Sequence, residues 1–218
     1  MKLLVITQKV DRGDDVLGFF YRWLEELAKY CDKVSVIALG AGDYKDLPKN
    51  ISVFSLGKPT SRFLYIVRLF KYLAKLDQEY DFVLVHMNPI YLVLAGWWFR
   101  LRGKKTALWY THRQVDLKLR IAEKFVNVIF SVAPESFRLK SKKVQFVGHG
   151  IDLDKFICSR CPEEREKTII HVGRITPIKN CDILIEAFAK LRAQSNFSSF
   201  KLVFIGQPVT NQDQDYFG

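Results

Sequence analysis

The segment Lys167–Leu191, KTIIHVGRITPIKNCDILIEAFAKL, decides the fold. Thr168 to Val172 is a short apolar, β-branched run, the pattern of a buried parallel strand. Gly173 ends it, and Pro177 forbids helix through the loop that follows. Asn180 reads as an N-cap. Leu184, Ala187, Phe188 and Leu191 then recur at i, i+3, i+4 and i+7, the apolar stripe of an amphipathic helix. Strand, glycine turn, loop and helix together make one unit of a wound α/β sheet.

Two cations sit on that loop: Arg174 just after the glycine and Lys179 just before the cap. A helix N-terminus carries unpaired N–H groups and partial positive charge, so it favours an anion. Arginine adds a planar fork for phosphate oxygens, and lysine adds a mobile point charge. In an open α/β sheet the carboxyl ends of the strands are where ligands bind. The surrounding glycine, proline and cap favour a diphosphate site over the alternative, two solvated surface cations.

The same residues carry a family resemblance. Gly173-Arg174, Lys179-Asn180 and Leu184-Ile185-Glu186-Ala187-Phe188 resemble the donor-binding signature of family-four (group 1) glycosyltransferases, with Asn180 where glycine is commoner. Gly150-Ile151-Asp152, followed by Phe156, is similar to the hinge of that family, with His149 in place of the usual Asn. The resemblance implies a GT-B fold: two α/β Rossmann-like domains facing a cleft, with the nucleotide sugar mainly on the second and the acceptor on the first. It also implies retaining sugar transfer without a bound metal, Arg174 and Lys179 stabilising the diphosphate as charge develops on it. Gly173 and Gly206 join these two on the donor side. The family's paired second-domain glutamates would lie past Gly218.

Working outward, the rest of the chain repeats the β-α-β pattern of a mainly parallel, doubly wound sheet. Strands are expected at 2–7, 34–39, 51–56, 82–86, 106–110, 126–132 and 144–147, with a further one at 201–205. Helices are expected over 16–30 and 61–80, and in the segment that opens at Asn88-Pro89 and ends at Trp97-Trp98. The domains read as 1–149 (acceptor side), 150–166 (hinge) and 167–218 (the start of a truncated donor domain). A doubly wound domain usually needs about 100 residues or more. The loop after the first strand holds Gly13 and Gly18 but neither GxGxxG nor GxxxxGK[ST], which argues against dinucleotide and P-loop folds.

Three first-domain residues are acceptor-side or catalytic candidates. His112, in YTHRQ, follows a strand at its carboxyl edge and resembles the family's active-site histidine. His86 has a similar edge position, and Gly18 would let an acceptor or phosphate approach the backbone. For each histidine the competing reading is a structural or merely exposed side chain. Glu135 and Ser136 match a family stretch near the cleft.

Composition narrows the partners. The 218 residues are 49% hydrophobic, enough for a real core, and no apolar run reaches the ~18–20 residues that span a bilayer. Without signal-peptide architecture the expectation is a cytoplasmic protein, peripheral on the inner membrane face. The net charge of +11 falls entirely within residues 1–150, because the remainder is balanced. Such a field attracts nucleic acid, anionic lipid or phosphorylated substrates. No nucleic-acid reading motif occurs, whereas Arg62, Arg68, Lys71, Lys75, Arg100, Arg102, Lys104 and Lys105 beside Trp97-Trp98 suit an anionic membrane surface. Cys158 and Cys161 form a lone CxxC, with Cys181 and His171 the nearest further ligands, and an incidental reduced pair is favoured over zinc. No cofactor is expected, the nucleotide-diphosphate sugar being a co-substrate. The expected function is a hexosyltransferase-type enzyme acting on a glycan or lipid-linked acceptor in polysaccharide biosynthesis. The alternative is a non-catalytic fragment that binds sugar nucleotides.

Overall fold

Lys2–Val10 forms β1, and its alternating side chains set the architecture. Leu4 and Ile6 enter one apolar cluster, while Leu3 and Val5 enter another. A strand that is apolar on both faces needs cover on both faces, which is the doubly wound arrangement. Helix α1 (Phe19–Tyr30) covers one face through Phe20 and Leu24. Helices α2 (Arg62–Lys75), α3 (Ile90–Leu101) and α4 (Leu117–Phe125) share the other cluster through Leu69, Leu92, Ala95, Leu119 and Ala122. These side chains are fully buried, and each contributes roughly 1.5–3 kcal/mol for a large apolar group.

The computed structural model describes residues 1–57, 62–151, 153 and 167–217. It divides the chain into two compact units, Met1–Gly150 and Ile151–Gly218. In the first, the remaining strands are β2 (Lys33–Ala41), β3 (Ile51–Ser55), β4 (Phe82–His86), β5 (Lys105–Trp109), β6 (Val128–Ser131) and β7 (Val144–Phe146). Their order is β3-β2-β1-β4-β5-β6-β7, every pair parallel. The chain winds outward from β1 to β3, then returns to lay β4 on the other side of β1. That reversal makes the carboxyl ends of β1 and β4 a topological switch point.

Several boundaries differ from the sequence reading for local reasons. α1 starts at Phe19 rather than Val16, because Asp14 Oδ1 accepts the amides of Val16 and Leu17 and holds them in a turn. The helix expected to Tyr80 stops at Lys75, and a 3-10 turn over Asp77–Glu79 follows. β6 starts at Val128, since the Val126 amide still bonds Ala122 of α4. The basic face is also partly spent on the fold. Arg68 donates to the Leu56 carbonyl, Arg102 pairs with Asp77 at 2.5 Å, and Lys104 donates to the carbonyls of Asp77 and Tyr80. The side chain of Arg62 lies outside the described residues.

The second unit has β8 (Thr168–Val172), α5 (Cys181–Arg192), β9 (Lys201–Ile205) and α6 (Asn211–Phe217), with β8 and β9 parallel. Helix α6 was not apparent in the polar tail. Its signal is Thr210-x-x-Asp213, a capping box: Asp213 accepts the Thr210 amide at 3.0 Å, and Thr210 Oγ1 accepts the Asp213 amide at 3.2 Å. Most of the expected hinge, with Cys158 and Cys161, lies outside the described residues. Among the described residues, no helix is long and apolar enough to cross a membrane.

Candidate functional site

In the second unit the site begins where two parallel strands end in glycine. Gly173 has φ +156° and Gly206 has φ +146°, values that L side chains rarely adopt. A Cβ on Gly206 would collide with the Gly173 carbonyl oxygen. The Gly173 amide donates to Ile205 O at 2.9 Å, and Ile175 continues the pairing to Gln207. Gly206 therefore serves first as clearance that lets the two strand ends close together.

The loop after Gly173 alternates anchors with presented charge. Ile175, Thr176 and Cys181 are buried, whereas Arg174 and Lys179 are exposed. Thr176 donates to Asp213, which holds that carboxyl down to about 2, helped by the Thr210 and Val209 amides. A 3-10 turn over Pro177–Lys179 closes with the Lys179 amide on Thr176 O at 2.9 Å. Neither Arg174 nor Lys179 forms an ion pair with any described residue. Two cations on a braced loop, with no ion-pair partner among the described residues, are available to an anion.

Asn180 departs from its expected role. It lies at φ 51°, ψ 47°, the left-handed region, and makes no side-chain capping bond. Glycine and asparagine are the residues that visit this region at least cost, so the tolerance of Asn here is conformational. The α5 N-terminus is also less open than the sequence suggested. Tyr216 Oη accepts the Asp182 amide at 3.0 Å and donates to Asp182 Oδ1 at 2.7 Å. The Asp182 carboxyl is held below its usual range by the Tyr216 hydroxyl and then by the Ile183 amide. Anion preference consequently rests on Arg174 and Lys179 more than on the helix terminus.

Two Asp-x-Asp triplets occur, a spacing that can hold a divalent cation. Asp152 and Asp154 lie outside the described residues; Asp213 is buried and committed to Thr176 and the α6 cap. Cys181 Sγ lies 4.0 Å from His171 Nε2. Among the described residues, no three His, Cys, Asp or Glu side chains form a metal-binding group.

In the first unit, His86 ends β4 at the switch point. It is 1% exposed, stacked on Phe20 at 4.1 Å and flanked by Trp23 at 5.8 Å. Its Nδ1 lies 3.1 Å from Thr7 Oγ1 of β1, and its Nε2 has no partner. Burial lowers its pKa to about 4, so the ring is neutral at pH 7. His112 is the opposite case, exposed on the loop after β5. That loop is braced by Tyr110 Oη on Gln114 O at 3.1 Å and by Thr111 Oγ1 on Met87 Sδ at 3.3 Å.

Met87 joins the two histidine loops. Its amide donates to Trp109 O at 2.8 Å, and its φ of 60° is unusual for a bulky side chain. No sequence signal announced it. Gly18 has a structural reason to be glycine: a Cβ would lie 2.5 Å from Asp14 O, and its amide donates to that same oxygen at 2.9 Å. Glu135 and Ser136 sit in a 3-10 turn past β6.

Comparisons with known proteins agree with this architecture. The family profile "Glycosyl transferases group 1" matches residues 159–217. No curated protein matches the chain. Among solved structures, Anabaena Alr3699/HepE in complex with UDP is similar at a TM-score of 0.70 and 17% identity, over 100% of this chain and 64% of that one. WaaG, a glycosyltransferase involved in lipopolysaccharide biosynthesis, is similar at 0.60 and 14%, over 98% of this chain and 66% of that one. The UDP-GlcNAc 2-epimerase from Methanocaldococcus jannaschii is similar at 0.56 and 9%, over 100% and 68%. This chain thus spans about two thirds of the length of these proteins. It has the α/β fold of the GT-B glycosyltransferases, and its second unit carries the group 1 match.

Proposed function

We propose that this chain belongs to a retaining glycosyltransferase that moves a sugar from a nucleotide-diphosphate sugar to a glycan or lipid-linked acceptor. The carrying observation is the braced loop of the second unit, which presents Arg174 and Lys179 with no ion-pair partner among the described residues, inside the segment matched by the group 1 profile. The leaving nucleoside diphosphate gains negative charge as the glycosidic bond breaks. Cations carried on a braced backbone stabilise that charge as it develops. Arg174 and Lys179 take this role in place of a metal, and Gly173 and Gly206 give the diphosphate close access to the backbone.

Structures of Alr3699/HepE with UDP and with UDP-glucose support a sugar nucleotide as the ligand class. On the acceptor side, His112 is the exposed histidine and takes the role next to the sugar. His86, neutral and buried, and Gly18, holding the tight turn before α1, shape the wall behind it.

The test is a panel of nucleotide sugars with glycan and lipid-linked acceptors, followed by nucleotide release. Acceptor-dependent release that disappears in Arg174→Ala/Lys179→Ala supports transfer. Binding without release in any combination supports the second reading, a sugar-nucleotide-binding protein. Turnover that is indifferent to the double substitution contradicts both.

A further inference from the structure

Among the described residues of the first unit, Met87 alone combines a side chain with a left-handed backbone, at φ 60°. Glycine and asparagine visit this region at little cost, whereas a longer side chain persists there only when surrounding contacts return the strain. The backbone gives no reason for methionine. Its amide donates to Trp109 O at 2.8 Å, a bond that glycine would make equally well. The reason lies in the side chain.

From the end of β4 that side chain reaches the loop after β5. Its Sδ accepts from Thr111 Oγ1 at 3.3 Å, and Thr111 immediately precedes His112. Residues 111–116 form neither helix nor strand, so the place of His112 depends on ties of this kind. On its other side Tyr110 donates to Gln114 O at 3.1 Å, and the Tyr110 and His112 rings lie 6.3 Å apart. Met87 itself starts from a rigid base. It follows His86, which Thr7 holds at 3.1 Å and Phe20 stacks at 4.1 Å, and it precedes Asn88-Pro89, which lead into α3. One strained residue and one side-chain bond thus connect the buried sheet to the exposed histidine.

We propose that Met87 is a positioning residue: its left-handed backbone aims Sδ at Thr111, and that bond sets where His112 stands. The proposal rests on the reading that His112 acts beside the transferred sugar. A misplacement of about 1 Å at a reacting centre can cost about 100-fold in rate, so even the weak acceptor of a thioether has a consequence there. A Met87 that only fills space would be replaced by leucine without loss. A positioning Met87 needs an acceptor near the δ position, which leucine lacks and glutamine restores.

The experiment compares Met87→Leu, Thr111→Val, the double variant and Met87→Gln in the 218-residue chain, first by the imidazole Cε1–H NMR signals. The chain has four histidines, and His112→Gln assigns the signal of His112. Each single substitution is expected to shift that signal and the double to shift it no further, because both remove the same bond. Met87→Gln returns it toward the wild-type position. In acceptor-dependent nucleotide release, kcat falls about 3- to 10-fold in both singles and in the double alike, with KM within about 2-fold. The thermal midpoint changes by less than about 3 °C. A chain that transfers no sugar yet keeps the coupled NMR response refutes the transferase reading and supports the placement of His112 by Met87. Additive shifts in the double variant, a His112 signal indifferent to either single change, Met87→Gln behaving like Met87→Leu, or an unchanged kcat in an active chain would overturn the proposal.

Discussion

The two units treat the carboxyl ends of their strands in opposite ways. The first closes its switch point with rings, packing Phe20, Trp23 and Trp109 around the neutral His86. The second clears the space with glycines and sends two cations outward. Around His86 the first edge is apolar, whereas the second presents charge. Residue choice alone produces both arrangements on similar parallel strands.

The largest effect expected on this contrast is steric. Gly206→Ala drives a methyl group into the Gly173 carbonyl at a positive φ, and it should cost the second unit roughly 2–4 kcal/mol. Urea unfolding followed separately in the two units would show the loss in the second alone. An unaltered second unit would mean that the strand ends are not clamped as described.

The buried histidine comes next. Its folded pKa is lowered to about 4 from the ordinary 6.5, so below pH 6.5 the unfolded chain binds a proton that the folded chain refuses. Stability is fully present above about pH 6.5 and falls as pH drops toward 4, by about 2–3 kcal/mol. Denaturant midpoints between pH 7.5 and 4.5 should trace that decline, and His86→Gln should flatten it.

Asp213 works in a lower window. With its folded pKa depressed to about 2, its contribution is present above about pH 4, the usual carboxylate range, and is lost as pH falls toward 2. Thr176→Val should raise the Asp213 titration midpoint measured by NMR. The smallest effect is at Asn180: Asn180→Gly should be near neutral, and Asn180→Ala should cost about 1 kcal/mol, since alanine pays for the left-handed backbone. Equal stabilities would remove the conformational reason for Asn.

Much of this was legible in the chain because local patterns were strong. Apolar strands alternating with helices announced the parallel sheet, and Gly173, Pro177 and the stripe from Leu184 to Leu191 announced strand, loop and helix. What escaped depends on contacts between distant residues. Thr176 with Asp213, Tyr216 over Asp182, and Met87 tied to Trp109 and Thr111 leave no spacing to read, because each is created when the chain folds back. Asn180 is ambiguous for a related reason: capping and left-handed backbone favour the same residue type, and only φ separates them. Arg68, Arg102 and Lys104 look like surface charge in sequence, yet carbonyls and Asp77 bind them.

If Arg174 and Lys179 bind a nucleotide diphosphate, calorimetric titration with UDP will register their removal. Hydrogen bonds to charged groups are worth about 1.5–3 kcal/mol each. Arg174→Ala and Lys179→Ala should therefore each weaken UDP by roughly 10- to 100-fold, with uridine indifferent to either change. A chain that binds UDP and uridine alike, or whose UDP affinity survives both substitutions, would contradict the account.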